Sequence, residues 1–311
     1  MGKYCFGIDV GGTTVKCGIF SVEGDVLDKW EIPTRTEENG CHILPDVAET
    51  VLAKITEKAL NKEDVAGVGI GIPGPVNEAG EVPMAVNLHW GYVNIAKDLG
   101  DLTGLKVKAG NDANVAALGE LWQGGGAGYK DMIMVTLGTG VGGGIILDGR
   151  IVAGTHGAAG EIGHAHVDDE MEEACNCGRH GCLEQWTSAT GIAHLAQKIL
   201  DFSEEPSLMR RHKNISAKTV FDAMKEGDAL AIQVGTEFGR YLGKALAVFS
   251  TVVDPQIIVI GGGVSKAGPI VLDYITGPFR EYCFPPCRDT RFALAKLGND
   301  AGIYGAARML L

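Results

Sequence analysis

The sequence predicts an α/β protein made of two related halves. Strand-like and helix-like segments alternate along its 311 residues. One pattern, a strand, a Gly/Thr turn and a second strand, opens the chain and returns near its middle. Glycine is abundant, at 46 residues without tandem or low-complexity arrangement, which implies tight turns or close backbone–ligand approaches rather than disorder or a collagen-like repeat.

Taken in order, "YCFGIDV" (4–10) is apolar and strand-like, "GGTT" is a turn, and "VKCGIFS" (15–21) is a second strand. "VEGD" turns again into "VLDKWEI". The segment "LPDVAETVLAKITEKAL" (44–60) has apolar residues at helical spacing, with Glu and Lys on the other face. "VAGVGIGIP" (65–73) is a continuous apolar run, as in a buried strand. "VKAGNDAN" (107–114) leads from a strand into the helix "VAALGELWQ". The opening pattern then recurs as "DMIMVTL" (131–137), the turn "GTGVG" and the strand "GGIILDG". Helical patterns dominate 184–250. "PQIIVI" (255–260) is a strand whose "GGG" turn enters another helix. "RFALAKL" and the helix "DAGIYGAARMLL", with Asp300 as its N-cap, close the chain. The half-repeats imply two lobes with a cleft between them, a common place for a ligand.

Composition excludes several classes. The chain is 45% hydrophobic and 21% charged, ordinary for a globular protein with sizeable cores. A net charge of −12 and no basic patch beyond the short "MRRHKN" (209–214) argue against nucleic acid as a partner. The N-terminus lacks the apolar core of a secretory signal, and Phe6 stands where myristoylation needs Ser or Thr. No apolar run has the length of a membrane span, so a cytoplasmic location is expected. Eight cysteines in a chain this long then read as thiols rather than disulfides. Cys5, Cys17, Cys41 and the pair Cys283/Cys287 read as buried thiols or bystanders, and the pair has a lesser reading as redox-active.

No stretch matches the P-loop pattern. Gly138/Gly140/Gly143 matches G-x-G-x-x-G, but "IILDGR" after it reads as a strand where a dinucleotide fold needs a helix. The two Gly/Thr turns have chemistry of their own. Successive glycine N–H groups can nest an anion, and Thr hydroxyls add uncharged donors. One such hairpin per lobe would hold a polyphosphate, although each alone is also an ordinary β-hairpin. Asp9, just before the first turn, is placed to help hold Mg²⁺ or to cap the turn.

Asn111 and Asp112 stand where a strand meets a helix. They suit capping, and Asp112 also suits a general base that the helix N-terminus keeps ionised. In phosphoryl transfer such a base need only orient an alcohol and take its proton as charge moves to the phosphate.

"EIGHAHVDDEMEEACNCGRHGCLE" (161–184) places His164, Cys175, Cys177 and Cys182 between Glu161 and Glu184. Three thiolates and an imidazole suit a closed tetrahedral structural Zn²⁺ site, with His166 or His180 as alternative imidazoles. Four protein ligands leave no open position, so the metal would lock the loop. The ligand His can donate from its other nitrogen, and the glutamates can accept from hydroxyls. Together they make a polyol-binding wall.

These motifs resemble the ROK family of bacterial sugar kinases, within the hexokinase/actin-like superfamily. The resemblance runs nearly end to end, through "DVGGTTVKCG" (9–18), "GIGIPGPV" (69–76), "GNDAN" (110–114), "VTLGTGVGGGIILDGRIVAGTHGAAGEIGH" (135–164), "CNCGRHGCLE" (175–184) and "IGGGVS" (260–265). It implies a two-lobed, ribonuclease H-like fold with a central cleft, with 1–112 and 298–311 as a smaller lobe and 113–297 as a larger one carrying the zinc loop. It implies ATP-dependent phosphorylation of a hexose 6-hydroxyl, with Asp112 as base and Asn111, Glu161, His164 and Glu184 on the sugar. Gly74 and Asn87 match positions lining the sugar pocket. Zinc falls to His164, Cys175, Cys177 and Cys182. The phosphates lie near Gly11, Gly12, Thr13, Thr14, Thr136, Gly138, Thr139 and Gly140, and adenosine near Gly262 and Gly263. Many relatives carry Lys directly after "GGT", where this chain has Thr14, with Lys16 two residues later.

The whole-chain pattern most resembles glucokinases, so glucose is the expected substrate. An N-acetylhexosamine (N-acetylmannosamine or N-acetylglucosamine) kinase is the second reading. A non-catalytic sugar-sensing regulator is the third, disfavoured because family repressors carry an added N-terminal DNA-binding domain and the first kinase strand here begins at Tyr4. The family also implies a homo-oligomer, dimer or tetramer.

Overall fold

The computed structural model describes residues 2–311. The strands are β1 (Tyr4–Val10), β2 (Thr14–Ser21), β3 (Val26–Pro33), β4 (Val65–Ile72), β5 (Glu81–Val82), β6 (Val93–Asn94), β7 (Val107–Asn111), β8 (Met132–Leu137), β9 (Val141–Leu147), β10 (Arg150–Ile151), β11 (Ile257–Gly261) and β12 (Arg291–Leu294). Helical segments are the single turn α1 (Glu37–Gly40), α2 (Ile43–Glu57), α3 (Ile95–Thr103), α4 (Asp112–Gln123), α5 (Glu184–Thr187) and α6 (Ala189–Asp201). They continue with α7 (Ala217–Lys225), α8 (Ala229–Val253), α9 (Gly262–Ser265), α10 (Ile270–Tyr282) and α11 (Ala301–Arg308). No helix among the described residues is long and apolar enough to cross a membrane.

Two five-stranded sheets share one topology. The first runs β3-β2-β1-β4-β7 and the second β10-β9-β8-β11-β12. In each, a hairpin leads into two parallel additions: β4 and β7 in the first sheet, β11 and β12 in the second. The recurring sequence pattern is therefore a recurring sheet. Both parallel centres are apolar on successive residues, and β4 and β11 are almost wholly buried, as strands covered on both faces must be.

Two compact units result. One holds the chain up to Lys130 with Gly144–Gly160 and Leu297–Leu311; the other holds Asp131–Gly143 and Glu161–Lys296. Each has its own core. Phe6, Ile8, Val47, Ile70 and Leu99 anchor the first, and Val135, Phe221, Phe238, Ile260 and Phe279 the second. The boundary differs from the one drawn at residue 112 from the sequence, and the first unit is the larger of the two. The reason is α4. Its backbone meets that of α11 so closely that a Cβ at Gly119 would fall 2.2 Å from Ala301 O. A Cβ at Gly305 would fall 1.6 Å from Val115 O. Glycine on each helix allows this approach, and it ties residues after 112 to the first unit.

A second correction concerns Asp300. It precedes α11 but makes no capping hydrogen bond. Its carboxylate pairs instead with Lys29 at 2.6 Å, an exposed ion pair of small energetic weight.

Candidate active site

In the first unit the β1–β2 turn presents Gly11, Gly12 and Thr13 to solvent, with Thr14 half-buried. Gly11 N–H donates to Thr14 O at 3.0 Å and closes the turn. Thr34 covers its carbonyl side: Thr34 Oγ1 donates to Gly11 O at 2.7 Å and Thr34 N to Thr13 O at 2.9 Å. Carbonyl oxygens that would repel an anion are thus engaged. Lys16 turns elsewhere, donating to Asn299 O at 2.9 Å.

Asp9, one residue before the end of β1, stands opposite Lys16. Burial, reinforced by the charge of Asp112 and opposed by Lys16, raises its carboxyl from the usual 3.8 to about 6. Its carboxylate packs on Gly302 in the first turn of α11, where a Cβ would fall 2.5 Å from Oδ2. A partly buried carboxylate facing a second carboxylate is a site that gains by binding a cation, which fits the Mg²⁺ expectation.

Asn111 and Asp112 stand at the β7–α4 junction. Asn111 caps α4, its Oδ1 accepting from Ala113 N at 3.1 Å and Asn114 N at 3.2 Å. Its Nδ2 donates to Gly74 O at 3.1 Å, joining the 74 loop to the helix start. Asp112 opens α4 and accepts from Ala113 N at 2.8 Å. Asp112 thus makes a local contact at the helix start, and the amide of Asn111 is engaged within the protein. Asn87 is exposed in a short 3₁₀ turn, and its carbonyl faces Gly12.

In the second unit the β8–β9 turn parallels the first. Gly138 N donates to Gly140 O at 3.0 Å, and Gly138 O accepts from Ala189 N at 2.7 Å, so here too the carbonyls are occupied. Thr136 pairs in register with Gly261, and Thr139 is exposed. Gly262 follows β11 at φ +82°, with a Cβ position only 2.5 Å from Leu137 O, so glycine is required there. Gly263 follows it in α9. A strand follows Gly140, as expected, so this is no dinucleotide motif.

The cysteine loop converges on one point. His164, Cys175, Cys177 and Cys182 place their ligand atoms within 4.8 Å of one another. Cys177 Sγ lies 3.6 Å from Cys182 Sγ, and Cys175 Sγ 3.8 Å from His164 Nδ1. Sulfurs each about 2.3 Å from a tetrahedral Zn²⁺ would stand about 3.8 Å apart, so the residues fit that ion. His166 leaves the cluster, its Nε2 on Asp169 at 2.8 Å and its Nδ1 on His180 O at 3.0 Å. A 3₁₀ turn, Ile162–His164, ends at the ligand histidine.

Glu184, at the start of α5, lies between the cluster and the turn. Its Oε1 accepts from Cys175 Sγ at 2.8 Å and lies 3.7 Å from His164 Nδ1, while Oε2 accepts from Val141 N at 3.4 Å. A Cβ on Gly140 would strike it at 2.7 Å. Glu161 is exposed just before His164. Sequence reading missed Arg179, whose guanidinium donates to His164 O at 2.9 Å. The Arg179 N–H and guanidinium hold the Cys177 thiol down at about 6, toward the thiolate a metal needs. A lone cation between clustered cysteines was the available signal. Cys283 and Cys287 are free, buried thiols that face different acceptors, Arg280 O for one and Ser250 O for the other.

The ROK family model matches residues 5–311. A glucokinase of Halalkalibacterium halodurans is 42% identical over 97% of this chain and 93% of its own. A glucokinase of Thermotoga maritima is 36% identical over 98% of this chain and 96% of its own. The structure of a ROK family glucokinase from Streptomyces griseus in complex with glucose and AMPPNP is 32% identical, with a TM-score of 0.71 and 98% of each chain covered.

Proposed function

The chain belongs to the ROK family, and from that premise we propose that it transfers the γ-phosphoryl group of ATP to the 6-hydroxyl of glucose, giving glucose 6-phosphate. The observation that carries this is the duplicated sheet, each copy opening with a Gly/Thr turn whose carbonyls are tied back. Donor-rich turns of this kind suit phosphate groups. Thr13 and Thr14 in one, and Thr136 and Thr139 in the other, add hydroxyl donors. Gly262 and Gly263 border the adenosine.

Asp112 is the base. It orients the 6-hydroxyl and takes its proton as charge passes to the phosphate. Asn111 keeps the helix start and the Gly74 loop in register, and Asn87 is a further sugar contact. Glu161, Glu184 and His164 Nε2 are the hydroxyl partners on the cysteine loop. Asp9 is the protein group that would hold Mg²⁺, which when bound neutralises phosphate charge. The cysteine cluster would hold Zn²⁺, which locks the loop. As a metal-bound thiolate, Cys175 no longer donates to Glu184, and Oε1 is then available to a sugar hydroxyl.

The test is ADP release from Mg·ATP with glucose, mannose, fructose, N-acetylglucosamine and N-acetylmannosamine, beside Asp112→Asn. Turnover is fastest with glucose, and the variant loses about 10²–10⁴-fold while retaining glucose binding. A preference for an N-acetylhexosamine would keep the mechanism and move the substrate. Undiminished turnover in the variant removes Asp112 as base, and silence across the panel favours a sugar sensor.

A further inference from the structure

A second ligand cluster lies away from the cysteine loop. In the segment joining β3 to α2, ligand atoms of Glu38, Cys41 and His42 lie within 4.8 Å of one another. Glu38 Oε2 is 3.5 Å from His42 Nε2 and 3.8 Å from Cys41 Sγ. Carboxylate, thiolate and imidazole together suit a borderline ion such as Zn²⁺ rather than Mg²⁺ or Ca²⁺, which take oxygen. Glu38 and Cys41 are exposed and His42 is half-buried, so an ion has access and solvent can fill the fourth position.

The backbone here is strained. Glu38, Asn39 and Gly40 take three successive left-handed conformations, with φ of 50°, 57° and 66°. Glu38 and Asn39 are non-glycine residues held in a region that L side chains rarely adopt. Contacts with the 86–90 segment hold the turn. Buried Trp90 donates through Nε1 to Gly40 O at 3.0 Å, and His89 Nδ1 lies 3.2 Å from Thr36 O. A Cβ at Gly40 would lie 2.4 Å from Leu88 O. Any ion that fixes 38–42 therefore also fixes 86–90.

We propose that Glu38, Cys41 and His42 form a binding site for a Zn²⁺-class cation, and that its occupancy stiffens the 86–90 segment. Asn87 lies in that segment, so the affinity for sugar is tuned with it; this last step alone rests on the function proposed above.

Co²⁺ titrated into the zinc-loaded protein tests the site. The wild type gains thiolate-to-cobalt absorption at one equivalent, and both Cys41→Ser and His42→Gln reduce it at least tenfold. The same equivalent of Zn²⁺ slows hydrogen exchange at residues 86–90 at least threefold, and only when Cys41 is present. Absorption that persists in both variants would come from exchange into the cysteine loop and would overturn the site, as would no absorption at all. Binding with unchanged exchange overturns the stiffening. A glucose KM that shifts at least twofold with Zn²⁺ in the wild type but not in Cys41→Ser supports the link to sugar. An unshifted KM beside slowed exchange removes only the role of Asn87.

Discussion

At the residue scale the most telling group is Asp9. Its native carboxyl keeps a proton up to about pH 6, whereas an unfolded one releases it near 3.8. Between those values the native state binds more protons, so stability falls as pH rises through the window. The penalty is complete above pH 6, at about 1–3 kcal/mol. A protein keeps such a cost where a cation is to be bound. Asp9→Asn should therefore raise the Tm of the metal-free protein at pH 7.5, with the gain vanishing below about pH 4. The same variant should lose most Mg²⁺-dependent turnover, and wild-type activity should fall as pH drops through about 6. Thermal melts across pH read the first effect, and a variant no more stable than wild type at pH 7.5 removes the argument. Asp9 drew notice in the sequence because it stands near the end of a strand, before a Gly turn. Its raised pKa was not legible, since that depends on Asp112, distant in sequence.

At the element scale, α4 carries both the proposed base and the contact that fixes its position. Asp112 opens the helix, and Gly119 further along meets α11 backbone to backbone. Gly305→Ala would place a Cβ 1.6 Å from Val115 O. The helices must then part, costing about 1–3 kcal/mol as overpacking and moving Asp112. Urea unfolding should show the loss of stability, and kcat should fall more than glucose KM rises. A variant with wild-type stability would mean that the helices part without strain. The longer strands, and α2, α4 and α11, were legible from hydrophobic periodicity and turn residues; the two-residue strands β5, β6 and β10 are too short to carry a pattern. The capping of α11 was not legible: Asp300 had the right position, but its carboxylate pairs with Lys29 on β3, distant in sequence. At the cysteine loop the four residues that converge were legible from spacing. The separation of His164 from His166 required the 3₁₀ turn, which short apolar segments do not announce.

At the scale of the whole molecule, the internal repeat was legible in the sequence as a weak pattern, because strand, turn and strand are local features. The boundary between the compact units was hidden because α4 and α11 are far apart in the chain and meet through glycines, which leave no hydrophobic pattern. The two apolar cores draw on separate sets of residues, one per unit. Each unit can then unfold in its own cooperative step. The metal-ligand loop belongs to the second unit, where Ile162 and Leu183 beside the ligands enter its core. Removing the metal should therefore loosen that unit alone. Calorimetry should resolve two transitions, with a strong chelator or Cys177→Ser lowering one by about 5–10 °C and leaving the other in place. Loss of the metal with neither transition moved would show that the cluster adds nothing to folding. A single transition that shifts as one would instead show that the chain folds as one cooperative body, with the loop supporting all of it.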